Sequence, residues 1–181
     1  ETLSKRISAF CEVRLVDPED RDVPIGSPGE MALRGPTLFS GYWNADDTNV
    51  SDFRNGFFHM GDLFRRNRDG TIDFVDRVKY LIKTGGENVY PAEIERVLLA
   101  HPGVVDAAVV RALDAKWGES PVAFVACGND GPGAEELMQL CREKLAGYKR
   151  PREFQFIAFE DFPRSTSGKI QRHILESRLT N

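Results

Sequence analysis

The sequence predicts an α+β protein: a small, distorted antiparallel β-barrel followed by a smaller domain in which helices and strands alternate. Two observations carry this prediction. Up to residue 75 the chain reads as short alternating apolar and polar runs broken by Gly and Pro, the pattern of antiparallel strands and tight turns. From Pro91 onward, apolar residues recur at helical spacing and are interleaved with β-branched runs.

In the first half, Cys11, Val13 and Leu15 alternate with Glu12 and Arg14 until Asp17-Pro18-Glu19-Asp20 breaks the run, which predicts a half-buried strand ended by a turn. Gly26-Ser27-Pro28-Gly29 and Gly35-Pro36 bracket a second strand over Glu30 to Arg34. A hairpin is expected where 62–67 and 71–75 flank Arg68-Asp69-Gly70, with Ile72 and Phe74 on one face. Tyr42, Trp43, Phe57 and Phe58, each beside a Gly or another aromatic, are read as core packing.

In the second half, Pro91 opens a helix with Ile94, Val97 and Leu98 on one face and Glu93 and Glu95 near its positive end, closed by His101-Pro102-Gly103. Strands follow over 104–110 and 122–127, separated by a loop over 113–119. Ala134, Leu137, Met138, Cys141 and Leu145 mark a second amphipathic helix, 153–159 a strand, and 170–179 a terminal helix.

Composition narrows the function classes. The 181 residues carry a net charge of −4 and are 41% hydrophobic and 29% charged, ordinary for a folded globular chain. There is no broad basic field for nucleic acid, and Lys149-Arg150-Pro151-Arg152 is too short to supply one. No apolar run approaches the roughly 20 residues of a membrane-spanning helix. Cys11, Cys127 and Cys141 are far apart and lie in apolar runs, so reduced core thiols and a cytoplasmic setting are expected; neither they nor His59, His101 and His173 have metal-ligand spacing. The chain begins Glu1-Thr2-Leu3 without an initiator Met, which predicts either a fragment of a longer protein or a processed chain.

The motifs lie in and around the crossover between the two halves. Asp76 to Glu95 includes Arg77, Lys79, Lys83 and the pair Gly85-Gly86 followed by Glu87. Read alone, this is a linker with a helix start. Upstream stands His59-Met60-Gly61-Asp62-Leu63 and downstream Pro163-Arg164-Ser165-Thr166-Ser167-Gly168-Lys169-Ile170. Taken together, the three segments closely resemble the adenylate-forming superfamily, which includes acyl- and aryl-CoA synthetases, adenylation domains of peptide synthetases and beetle luciferases. The resemblance covers nearly the whole chain, but only the C-terminal third or so of a family member.

The resemblance implies a parent enzyme that is an ATP-dependent carboxylic acid:CoA ligase, forming an acyl-adenylate and then a thioester with release of AMP and pyrophosphate. Its substrates would be a small-molecule carboxylic acid, Mg-bound ATP and CoA, with no metal held by protein ligands. Residues 1–78 would be the β-barrel-like end of a large N-terminal domain and 79–181 a mobile lid hinged at Lys79. The rest of that domain, which binds triphosphate and acid, would precede Glu1, so this chain alone is expected not to adenylate. Asp62 would accept hydrogen bonds from the ribose hydroxyls, a task suited to an acceptor-only carboxylate, although a turn Asp capping its own backbone reads the same way. Arg77 would reach the same nucleotide. Lys169 would bridge the substrate carboxylate and the α-phosphate, though Ser-Gly-Lys is also a common exposed turn. Gly85, Gly86 and Glu87 would border the pantetheine channel, Tyr148, Arg150 and Arg152 would meet the CoA nucleotide, and Lys83 would serve the second half-reaction; a solvated basic turn remains the alternative for 148–152. Trp117 is read as structural. Two rival readings stay open: an adenylation domain that loads a carrier-protein thiol, and a non-catalytic module that binds a nucleotide or a partner.

Overall fold

The computed structural model describes residues 4–179, so the expected reach of the two domains to Glu1 and to Asn181 extends outside the described residues. These residues fall into two compact units that divide between Lys79 and Tyr80.

The first unit is a curled antiparallel sheet. Its strands are β1 (Glu12–Val16), β2 (Pro28–Arg34), β3 (Phe53–Arg54), β4 (Phe57–Arg66) and β5 (Ile72–Arg77), with one short helix, α1 (Asp46–Asp52). The long strand β4 organises it, pairing β2 along one edge and β3 and then β5 along the other, while β1 extends the sheet beyond β2. The expected hairpin is present, with Asn67 closing onto Thr71 and Gly70 taking the positive φ (81°) that its turn requires. Leu15, Met31, Phe64 and Ile72 form its main core, joined at the margin by Val13, Leu33, Met60 and Phe74. Ile72 and Phe74 share a face, since a strand alternates. The aromatic expectation divides. Phe57 and Phe58 are buried, whereas Trp43 is 90% exposed and Tyr42 half-exposed at the rim of an edge-to-face group with Phe39, Phe53 and Phe58. Adjacent positions in an irregular loop cannot all face inward.

The second unit is an α+β layer. Its sheet contains β6 (Ile82–Thr84), β7 (Glu87–Val89), β8 (Val104–Asp114), β9 (Gly118–Cys127) and β10 (Glu153–Phe156). Three helices pack on it: α2 (Pro91–Leu99), α3 (Ala134–Lys144) and α4 (Arg172–Leu179). Strand β9 is central, antiparallel to β8 and parallel to β10. The β8–β9 hairpin runs further than its apolar core, because Arg111 to Asp114 stay paired with Gly118 to Pro121. The expected loop over 113–119 therefore shrinks to Ala115-Lys116-Trp117, followed at the start of β9 by Gly118, whose φ of 80° is left-handed.

Each face of this sheet carries its own core. Ile82, Val89, Ile94, Leu98, Val109, Val125, Leu137 and Cys141 fill one, under α2 and α3; Ala108, Val110, Val122, Phe124, Phe162 and Leu175 fill the other, under α4. Alternation along β8 and β9 sends successive residues to opposite cores. Leu98→Ala, at a position with no exposure, is expected to lower stability by about 2–5 kcal/mol, read as a fall in the denaturant midpoint at unchanged m value. A midpoint equal to wild type would show that α2 is not the packing element described. Of the cysteines, all free, Cys141 is buried and its thiol is pushed up to about 11 by that burial, while Cys11 and Cys127 are only half-buried.

Two local readings need correction. Glu95 does not simply load the positive end of α2: its carboxylate turns inward, accepting the Val109 N–H at 2.8 Å and pairing with Arg172 at 2.6 Å. Gly85 and Gly86 form the two-residue loop of a β6–β7 hairpin, with Thr84 opposite Glu87. Their φ angles of 57° and 85° are both left-handed, as a type I′ turn demands, and Gly supplies them without a Cβ penalty.

Candidate functional site

In the first unit, sheet register brings two predicted residues together. Asp62 on β4 lies directly opposite Arg77 on β5, and Arg77 Nε sits 2.8 Å from Asp62 Oδ1. The contact has the length of a hydrogen bond without its alignment, so it is a charge contact. Arg77 stays substantially exposed, and its backbone N–H is held by the carboxylate of buried Asp76 at 2.7 Å. Just before Asp62, Gly61 adopts φ 72° where the pairing of β4 with β2 slips, an irregularity that turns the following side chain out of the regular pleat. A guanidinium beside an acceptor-only carboxylate is a ready site for a diol next to a phosphate.

In the second unit, a cleft of about 510 Å³ is lined by Gly85, Glu87, Trp117, Tyr148, Arg150 and Arg152, together with Thr84, Met138, Arg142, Gly147 and Pro151. Five of these, Gly85, Glu87, Tyr148, Arg150 and Arg152, are sequence-predicted residues from two stretches some 60 positions apart. Gly86, at the tip of the same turn, is not among the lining residues. The wall is built by stacking one hairpin tip on another: Gly85 N–H donates to the Trp117 carbonyl at 2.9 Å, and Thr84 pairs with Gly118. A Cβ on Gly85 would stand 2.8 Å from Trp117 Cε3, so the indole lies flat against a backbone that must be glycine. The Asp114 carboxylate holds that loop by accepting the N–H groups of Trp117 and Lys116, and those bonds lower its pKa.

The basic stretch is less free than its sequence implies. Arg150 donates to the carbonyls of Leu145 and Arg142, which fixes its position, and Lys149 is bound by both oxygens of Glu93 at 2.8 Å. Arg152 lies 5.9 Å from the Trp117 ring centroid, a cation over an aromatic face. Lys83 is exposed on β6, its own N–H held by Glu119 at 2.8 Å.

Lys169 sits on a tight turn. Ser165 and Lys169 close it through a backbone bond of 2.8 Å, Gly168 takes φ 79°, and Arg164 clamps it from below by donating to the Gly168 carbonyl at 3.1 Å and pairing with Asp106. Its ammonium is exposed and forms no ion pair with another described residue. Lys79 lies in the 3₁₀ turn Val78–Tyr80, exposed, at the end of the first unit. Among the described residues, no group of three or more His, Cys, Asp or Glu is placed to hold a metal ion, and no helix is long and apolar enough to cross a membrane.

Residues 93–169 match the family model of the AMP-binding enzyme C-terminal domain. Over 165 residues the chain is 42% identical to a 2-succinylbenzoate–CoA ligase of Bacillus mycoides, covering 91% of this chain and 34% of that protein. The chain belongs to the adenylate-forming superfamily. Solved superfamily structures agree with this: ATP-bound MatB from Rhodopseudomonas palustris superposes with a TM-score of 0.88 at 34% identity, covering 97% of this chain and 35% of its own. The o-succinylbenzoate CoA synthetase of Bacillus subtilis, in complex with its acyl-adenylate intermediate, gives 0.86 at 36% identity, with 93% and 34% covered. The chain spans about a third of the length of these relatives.

Six of the residues lining this cleft were not singled out as site residues in the sequence, Trp117, Met138 and Arg142 among them. Trp117, read as structural, packs on Gly85 and also forms one wall of the cleft. Met138 and Arg142 were hidden because α3 reads as an ordinary amphipathic helix; the signal available was that they lie four apart, on one side of it.

Proposed function

We propose that the chain is the C-terminal portion of an ATP-dependent carboxylic acid:CoA ligase. In such an enzyme the carboxylate attacks the α-phosphorus of ATP, expelling pyrophosphate; the CoA thiol then adds to the acyl carbon of the adenylate, expelling AMP and losing its proton. Asp62 would accept the ribose hydroxyls, with Arg77 beside them, and Lys169 would offset the negative charge that gathers between carboxylate and phosphate. Lys79, at the junction of the two compact units, would be the hinge, and Lys83 would assist thioester formation. ATP would enter with Mg²⁺, and the acid and triphosphate would be held by the part of the enzyme absent from this chain.

The observation that supports CoA as acceptor is the cleft of the second unit. It combines a narrow glycine-backed wall at Gly85, two aromatic faces at Trp117 and Tyr148, and three guanidinium groups at Arg142, Arg150 and Arg152. An alkyl-amide arm needs the first, an adenine ring the second and a ribose 3′-phosphate the third. A carrier protein would present the same arm without the adenine or its phosphate, so the arginines favour the free coenzyme. In the full-length parent, Arg152→Ala is expected to raise the KM for CoA about tenfold while leaving pyrophosphate exchange unchanged, and to affect dephospho-CoA much less. Equal losses with both coenzymes would remove the phosphate assignment, and no loss with either would favour a carrier protein.

A further inference from the structure

Beneath Asp62 the first unit carries a group of charged side chains whose presence the chemistry above does not explain. Glu30, on β2, is largely buried, with its side chain 16% exposed. Its two oxygens have separate tasks. Oε1 accepts the backbone N–H of Gly61 at 3.2 Å, while Oε2 takes Arg54 Nη2 at 2.9 Å and faces His59 Nδ1 at 3.2 Å. His59 is 4% exposed, and because a carboxylate can only accept, its Nδ1 is the donor in this contact. Asp20 completes the group from the β1–β2 loop, with Oδ2 3.5 Å from Arg54 Nε and Oδ1 3.6 Å from His59 Nε2.

Burying two carboxylates and an imidazole beside a partly exposed guanidinium costs desolvation that mutual pairing only partly offsets, so such clusters are weak sources of stability. What this one does specifically is hold a single backbone group. Gly61 is where β4 departs from regular pairing with β2, between His59 opposite Ala32 and Leu63 opposite Glu30, and its φ of 72° is unusual. At such an irregularity the N–H is released from the ladder and must be satisfied elsewhere. Glu30 satisfies it with a charged acceptor held 3.2 Å away. The next residue is Asp62.

We propose that Glu30 is a positioning residue for the nucleotide ribose: by gripping the Gly61 N–H it fixes the turn that aims Asp62, with Arg54 and His59 locking the carboxylate in place. The inference rests on the reading of Asp62 as the ribose ligand. Glu30 touches no substrate and acts through Asp62. A glutamine at this position cannot replace it, because all three partners are donors and an amide has one acceptor oxygen; whichever way it turns, its NH₂ faces a donor.

The test uses the full-length parent, acid-dependent pyrophosphate exchange, and ATP alongside 2′-deoxy-ATP and 3′-deoxy-ATP. Glu30→Gln is expected to raise the KM for ATP about tenfold with kcat within twofold, and to reduce the preference of kcat/KM for ATP over the deoxy analogues toward one. Asp62→Ala is expected to do the same more strongly. The double variant should have a KM no higher than Asp62→Ala alone, since Glu30 has nothing left to position. If Glu30→Gln does not fold, Glu30→Asp, which keeps the charge but shortens the reach by one methylene, carries the same expectation. An unchanged ribose preference in a folded Glu30 variant, or additive losses in the double variant, overturns the proposal while the Asp62 reading stands. Asp62→Ala with wild-type KM and preference overturns that reading, and the positioning role with it.

Discussion

Lys169→Ala in the full-length parent is expected to lower acid-dependent exchange of pyrophosphate into ATP on the order of a hundredfold or more, with the loss in kcat. The reasoning begins with the turn. Its shape is set by the Ser165–Lys169 backbone bond, the left-handed Gly168 and the Arg164 clamp, none of which involves the Lys169 side chain. Truncating an exposed ammonium should therefore leave the fold intact and remove only what the charge does. Charge that develops as carboxylate oxygen meets phosphorus is stabilised by a cation only in that step, so the loss appears in turnover and spares ATP binding. Thioester formation from acyl-adenylate supplied directly should be retained. Exchange equal to wild type would reduce Lys169 to an ordinary turn residue.

The opposite pattern is expected from Gly85→Val. Here the fold itself is constrained, because the position has φ 57° and a Cβ would meet the Trp117 ring at 2.8 Å. A β-branched residue in the left-handed region costs about 1–3 kcal/mol, and the indole must shift to admit it. That shift moves a wall of the cleft and narrows the path beside it. CoA-dependent thioester formation should fall at least tenfold, while pyrophosphate exchange, which does not use the cleft, remains within about threefold. Parallel loss of both activities would mean that the second unit unfolds or that the cleft is not where the thiol enters.

Most of this architecture was legible because it depends on short-range chemistry. Pro91 with Ile94 and Leu98 reads as a helix start and its buried stripe, and both are found. Gly70 after Asp69 reads as a hairpin turn, and it is one. The β6–β7 hairpin was missed although Gly85-Gly86 is a strong turn signal, because its strands are three residues each and owe their existence to the sheet they join. Arg77 and Asp62 could be named from motif resemblance, but their pairing is a matter of strand register fifteen positions apart, which no local pattern states. Glu30 escaped notice for a related reason: its neighbours Gly29 and Met31 read as turn and strand, and its meaning lies in a bond to Gly61 across the sheet. Trp43 marks the limit in the other direction, since an aromatic beside another aromatic looks like core until the loop turns it to solvent.

The central claim, that the parent joins a carboxylic acid to CoA through an adenylate, is tested most directly by quenching a single turnover of the full-length protein with α-labelled ATP and a panel of carboxylic acids, without and then with CoA. The account predicts that with a suitable acid an acyl-adenylate accumulates, and that adding CoA converts it to acyl-CoA and free AMP. No acid-dependent adenylate with any member of the panel, or an adenylate that CoA leaves untouched, would contradict it.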